Sequence, residues 1–288
     1  MCRMFGVIGK SFPKNDDLIN AIISSWIKSA EDDPMLNILH PALTNILPGH
    51  PHGWGLLTWS QNTFNGTDLN YKRTIQPLGR THETQVQQWL QTNLSSAVLH
   101  FIGGHTRRAS PSMPISLIQI HPFVLDLDPF FSSMFFMHNG TTDKEALNTL
   151  LQKPFSSSAL YRYSDTQIMA LAFKEHLVTN ESPLNLSFIL DFVSKVINSH
   201  QMLNWSGLQL ILGIVTPSSK ELSKIWYVSC VNPAYHTDPE ALLNYFQLYL
   251  GQKNSQYFFC SSTIQHYFEK SFPSEINWQI IPNFQIGQ

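Results

Sequence analysis

Charge is what this chain has least of. Lys, Arg, Asp and Glu make up 13% of its 288 residues, about half the share usual in globular domains. They balance to a net charge of −2. Without a basic stripe to neutralise phosphates, or a polybasic patch to hold an anionic membrane, neither nucleic acid nor a membrane is an expected partner. Cysteine is scarce too. Cys2, Cys230 and Cys260 supply neither a disulfide framework nor a CxxC zinc pattern, which suggests a reducing, cytoplasmic compartment. Long apolar runs are missing. The strongest, LQLILGIV at 208–215, is far shorter than the roughly 20 residues that span a bilayer. The N-terminus has no basic segment followed by an apolar one, so no secretory leader is expected. The N-x-S/T triplets at Asn65, Asn93, Asn139, Asn180, Asn185 and Asn204 then read as products of composition, not as glycosylation sites.

Hydrophobic residues make up 43% of the chain, enough for a sizeable core and against disorder. MCRMFGVIG reads as an opening strand and LINAIISSWIKSA (18–30) as an amphipathic helix. Residues 31–52 hold four prolines and read as a loop or excursion. GWGLLTWS is a strand, Asn65-Gly66 a hairpin turn, and LNYKRTIQP the returning strand. THETQVQQWLQTN is a helix, followed by the strands SSAVLHFIGG and FFSSMFFMHNG. Helices are expected at 142–153, 165–178 and 185–200. Ser164 to Gln167 form a capping box ahead of the middle one. LQLILGIVT, IWYVSC, YFFCSS and NWQII are strands, with a helix near 239–250. Strands, then paired helices, then strands favour an α+β domain of two antiparallel sheets with helices outside.

Five stretches carry chemistry, and each alone has a plainer reading. Cys2 follows an initiator Met that is normally removed before a small residue. Removal would give one residue a thiol and a free α-amine, a nucleophile with its own base. HGWG (52–55) enters a strand with glycines on either side of Trp54, allowing close backbone approach; otherwise it is a bend and a core tryptophan. In GHTRRAS (104–110) strand alternation turns one arginine inward, where beside Ser110 it can grip a carboxylate. The plainer alternative is a surface ion pair. FMHNG (136–140) can offer a side-chain amide and a backbone N–H to an oxyanion, or be a hairpin turn. Asp165, in the first turn of a helix, can bind an ammonium or merely favour the helix start.

Taken together, the terminal Cys, HGWG, HTR-x-x-S, HPF with HNG, and SDTQ resemble the class II glutamine amidotransferases. The resemblance covers most of the chain, and FFCSS…NWQIIPNFQIG is similar to that family's closing strands. MCRMFG, HGWG and HTR look most like the stand-alone branch, which includes γ-glutamyl amidohydrolases of glutathione breakdown and ergothioneine synthesis. The resemblance implies a single domain over residues 1–288 with Met1 removed. Its fold would be a four-layer α-β-β-α sandwich of the N-terminal-nucleophile hydrolase type. Cys2 would be the nucleophile and its α-amine the base. Asn139 and Gly140 would form the oxyanion hole. Arg107 and Ser110 would bind the substrate α-carboxylate, and Asp165 the α-ammonium. Trp54, Gly55 and the 31–51 excursion are candidates for lining the pocket beyond the γ-carbon, which must be open if the leaving amine is larger than ammonia.

The implied reaction is hydrolysis of the side-chain amide of glutamine, or of a small γ-glutamyl compound, through a Cys2 thioester, with no cofactor. The alternatives are a glutaminase subunit passing ammonia to a protein partner, and a catalytically silent binding or regulatory protein on the same fold. A metal is not expected, because His50, His52, His100, His105, His121 and His138 match no ligand spacing such as HExxH. Cys230 and Cys260 fall in predicted strands and read as core thiols.

Overall fold

Alternation along the first strand decides what each side of it does. In a computed structural model of the chain, β1 (Cys2–Gly9) turns Phe5 and Val7 toward a cluster built around Trp26, while Met4 faces the opposite way. The structure describes residues 2–9, 12, 16–40, 49–61, 67–94, 99–109, 113, 115–127, 132–180, 185–200, 205–215 and 224–288. The strands that follow are β2 (Trp54–Gln61), β3 (Thr67–Thr74), β4 (Leu99–Arg107), β5 (Phe123–Leu127) and β6 (Ser132–Asn139). Then come β7 (Gly207–Val215), β8 (Lys224–Val231), β9 (Leu248–Lys253), β10 (Gln256–Ser261), β11 (Asn277–Ile281) and β12 (Gln285–Gly287).

Among the described residues these strands form two antiparallel sheets. One has seven strands in the order β11-β9-β10-β1-β4-β2-β3, the other five in the order β12-β8-β7-β6-β5. The helices are α1 (Asp17–Glu31), α2 (Pro34–Leu39), α3 (Glu83–Asn93), α4 (Lys144–Asn148) and α5 (Ser157–Leu160), then α6 (Asp165–Asn180), α7 (Leu186–Ser199), α8 (Pro239–Phe246) and α9 (Ser262–Ser271). The chain is therefore α+β with two antiparallel sheets, as the element order indicates.

Three clusters hold this arrangement. Ile22, Trp26 and Ile27 of α1 and Ile264 and Phe268 of α9 bury against Phe5, Ile102 and Phe258 of the larger sheet. Phe173 of α6 and Phe192 of α7 bury against Phe136, Leu210 and Trp226 of the smaller one. Met4, Phe101, Phe135, Met137 and Ile211, drawn from both sheets, meet in a third cluster. Phe101 and Phe135 stack there with ring centroids 4.9 Å apart.

The structure departs from the sequence expectations at particular places. The 31–52 stretch contains α2, begun by Pro34 and capped by Asp33, whose carboxylate accepts the N–H groups of Met35 and Leu36. It is helical because Leu36 and Leu39 bury against Leu242 and Phe246 of α8. The helix near 239–250 stops at Phe246, since the next residues pair with β10 and β11 as β9. Helix α9 was not expected. The helix at 142–153 is reduced to α4. The Asn65-Gly66 turn lies outside the described residues, although β2 and β3 pair on either side of it. No helix among the described residues is long and apolar enough to cross a membrane.

Candidate active site

Register brings the site together. In the β1–β4 ladder Cys2 stands opposite Arg107 and Met4 opposite His105, and the pleat puts these four on one face. That face meets the second sheet, where β6 ends in His138 and Asn139. The Cys2 backbone N–H crosses between the sheets and donates to Asn139 Oδ1 at 2.9 Å. Cys2, Arg107, His121, Gly140 and Asp165 then line one cavity with Arg108, Met113, His138, Ser164 and Thr166. Its volume is about 30 Å³, room for little more than water as it stands.

The HGWG stretch holds the Arg107 backbone. Arg107 N–H donates to the Gly53 carbonyl (2.9 Å) and the His52 N–H donates to the Arg107 carbonyl (3.0 Å). Gly53 has φ +110°, a conformation that favours glycine. Gly55 faces the second sheet, and a Cβ there would lie 2.0 Å from the His121 carbonyl oxygen. Only glycine lets the 121–123 segment close over β2. Trp54, its neighbour, points to the other side of the sheet and packs edge-on against Trp26 with ring centroids 6.1 Å apart. Trp54 is thus a core residue and does not line the cavity, because alternation separates it from Gly55. Nor do the described residues of 31–51 line it. The tandem arginines do not divide into one inward and one at the surface: Arg107 faces Cys2, while Arg108, the residue after β4, is also buried, borders the same cavity and donates to the Gly49 carbonyl at 2.7 Å. Ser110 lies outside the described residues.

Asn139 is not among the residues that line the cavity. Its Nδ2 donates to Gln209 Oε1 at 3.3 Å, and its Oδ1 holds Cys2. Gly140 follows with φ +152°, and a Cβ there would sit 1.9 Å from the Gly207 carbonyl oxygen. The Asn-Gly pair therefore ends a central strand instead of forming a hairpin turn. Asp165 opens α6 behind a reciprocal capping box: Gln167 N–H donates to Ser164 Oγ (3.2 Å) and Ser164 N–H to Gln167 Oε1 (2.8 Å). Asp165 Oδ2 accepts from the Thr142 N–H at 3.0 Å, and Oδ1 from the Thr166 N–H at 2.9 Å. Its carboxylate is fixed in place at the cavity wall.

The three thiols differ in electrostatics. Burial raises the Cys2 thiol, but the terminal ammonium, His105 with its hydrogen bond, and Arg107 together bring it down to about 6. Burial alone pushes Cys230 up to about 12, and burial also carries Cys260 well above the ordinary thiol value. Thiolate character at neutral pH thus belongs to Cys2.

Two groups of residues were missed in the sequence. Beneath Cys2, on the far side of β1, Arg3 is fully buried. Its guanidinium forks onto Asp33 at 2.7 and 2.9 Å and stacks on the Tyr245 ring at 3.9 Å. Thr263 and His50 also donate to Asp33, at 2.6 and 2.7 Å. The signal available was a charge inside an apolar strand, at Arg3. The second group is Cys2, His105 and His121, whose ligand atoms all lie within 4.8 Å of one another. The expectation of no metal rested on spacing along the chain, and these residues are gathered from separate segments.

Compared with known proteins, the chain matches no family model and no curated protein.

Proposed function

We propose that this protein hydrolyses the side-chain amide of glutamine or of a small γ-glutamyl compound through a thioester on Cys2. The observation that carries this reading is one cavity lined by a low-pKa thiol, a guanidinium and a carboxylate: Cys2, Arg107 and Asp165. A free amino acid offers the complements of the last two groups, and its γ-carbonyl can then reach the first. The finer fold on this reading is the four-layer α-β-β-α sandwich of an N-terminal-nucleophile hydrolase. The two sheets sharing one cluster, with helix clusters on their outer faces, support it.

On this reading, removal of Met1 turns the Cys2 amide into an amine. Asn139 Oδ1, placed to accept one N–H, orients it so that its lone pair takes the thiol proton. The thiolate adds to the γ-carbon, and the oxyanion is met by the Gly140 N–H at the cavity wall. The proton returns to the leaving nitrogen, and water hydrolyses the thioester. Because the cavity is small, substrate entry requires a lining side chain to move. Met113, with three rotatable side-chain bonds, suits that task.

The experiment is glutamate release from glutamine and from γ-glutamyl dipeptides by the purified, metal-free chain, with Cys2→Ala as control. Intact-mass analysis after treatment with a γ-glutamyl electrophile reports Met1 removal and the modified residue. Release by wild type and none by Cys2→Ala is expected. Equal release by both ends the reading, and release only after a second protein is added makes the chain an ammonia-supplying subunit.

A further inference from the structure

Leu117, Ile118 and Gln119 form one 3-10 turn, and their burial runs against their chemistry. The two apolar side chains are 51% and 55% exposed, while Gln119 is 1% exposed. A buried amide beside exposed aliphatic side chains reverses the usual order, and hiding an amide without its hydrogen bonds costs stability. Gln119 lines the same cavity as Cys2, Arg107 and Asp165. Its Nε2 donates to the Arg162 carbonyl at 3.3 Å. A backbone carbonyl can only accept, so the amide nitrogen belongs there and the oxygen on the other side. That oxygen, Oε1, is buried and has no hydrogen-bond partner among the described residues.

Gln119 belongs to the Asp165 wall of the cavity. Gln167 Nε2 donates to the Ile118 carbonyl at 2.9 Å, so two side-chain amides, one from each segment, tie residues 118–119 to residues 162–167. The Asp165 carboxylate in that second segment is already well supplied with donors. The Thr142 N–H and hydroxyl reach Oδ2 at 3.0 and 3.2 Å, and the Thr166 N–H reaches Oδ1 at 2.9 Å. An ionised carboxylate has about four acceptor positions, so about one is left. The Thr166 hydroxyl stands 3.4 Å from Oδ1 as well. A primary ammonium brings three N–H donors. Asp165 can balance its charge and accept one of them, and the others need acceptors elsewhere. Gln119 Oε1 is a buried acceptor joined to the same segment.

We infer that Gln119 is a substrate-binding residue, and that its Oε1 accepts a hydrogen bond from the α-ammonium whose charge Asp165 balances. The inference rests on the hydrolase reading above and narrows its substrate class to γ-glutamyl compounds with a free primary α-amine. An N-acylated substrate keeps a single N–H and no charge there, and a substrate without the amine brings Gln119 Oε1 no donor.

The test measures competitive inhibition of glutamine hydrolysis by glutamate and by glutarate, which differ only in the α-amine. It compares wild type with Gln119→Met, a side chain of similar length with no amide oxygen. Glutamate should be the tighter inhibitor of wild type. In Gln119→Met the ratio of the two inhibition constants, glutarate over glutamate, should fall about tenfold or more, the scale of one hydrogen bond to a charged group. KM for glutamine should rise by a similar factor, with kcat changed less. A purely structural role would weaken both inhibitors alike, so an unchanged ratio overturns the inference. A second measurement does not need that variant to fold: the crystal structure of Cys2→Ala with glutamate bound. The glutamate nitrogen should lie within about 3.2 Å of Gln119 Oε1. A nitrogen held by Asp165 and out of reach of Gln119 overturns the inference and leaves the hydrolase reading standing. Failure of that reading shows differently, as a wild-type chain that releases glutamate from neither glutamine nor γ-glutamyl dipeptides, and it takes the inference with it.

Discussion

The backbone nitrogen of Cys2 and the side-chain oxygen of Asn139, 137 positions apart in sequence, are joined by a buried 2.9 Å hydrogen bond that ties the first strand of one sheet to the last residue of a strand in the other. On the proposed reading this bond aims the nucleophile's own base. Asn139→Ala should then lower kcat by about 10²–10³-fold, the scale for losing one fixed polar group in acyl transfer. It should cost roughly 1–3 kcal/mol of stability, because the Cys2 N–H is left buried without an acceptor. Steady-state glutamate release and urea denaturation check the two parts separately.

Arg107 is held by its backbone to Gly53 and His52 and faces Cys2 across the β1–β4 ladder. Arg107→Lys keeps the charge and loses the planar fork, so kcat/KM for glutamine should drop by about tenfold or more. Arg108→Lys, whose side chain reaches the Gly49 carbonyl, should have the smaller effect. The reverse order in a side-by-side assay would mean that the other arginine reads the carboxylate.

Alkylation of metal-free protein by iodoacetamide should rise through pH 6, following the Cys2 thiolate. Cys230 and Cys260, raised by burial, should react only in denaturant. Peptide mapping of the alkylated sites decides. The same lowering has a sign for stability. Cys2 contributes most above its ordinary value near 9, and that contribution is lost as pH falls through about 6.

Asp33→Ala should destabilise the protein by about 3–5 kcal/mol, because it leaves the Arg3 guanidinium fully buried without its carboxylate. His50 adds a pH dependence of its own. Burial lowers its pKa to about 4, with Asp33 only partly opposing. The unfolded chain therefore binds a proton that the folded one refuses, and stability falls as pH drops from about 6.5 toward 4. Denaturation midpoints should show that slope in wild type and a flatter one in His50→Gln. Equal slopes would mean that another group is responsible.

Much of the fold is legible along the chain because local pattern and tertiary demand agree. The α1 stripe around Trp26, the Ser164–Gln167 cap and the apolar strands all appear where periodicity and capping chemistry place them. Failures fall where packing overrides local signals. Prolines in 31–52 suggest a loop, yet Leu36 and Leu39 find α8 and make a helix. Leu248–Lys253 looks like the end of a helix, yet two neighbouring strands claim it.

The candidate site divides in the same way. Cys2, the Arg107-Arg108 pair, Gly140 and Asp165 each leave a local signature with a plainer reading beside it, and it was the resemblance of the whole pattern that singled out Cys2, Arg107, Gly140 and Asp165 as a set. Their meeting at one cavity was decided by the β1–β4 register and the packing of the two sheets. Trp54 was placed at the pocket by proximity in sequence, and one step of strand alternation moved it to the opposite core. His105 and His121 carry no spacing that marks them as partners of Cys2. What brings them together is the close approach that Gly55 permits and the 3.0 Å contact of His105 Nε2 with the His138 carbonyl. Sequence determined which chemical groups this protein has and which strands and helices carry them. Only the tertiary structure decided which groups touch, because distance, tautomer and desolvation arise from contacts between segments far apart along the chain.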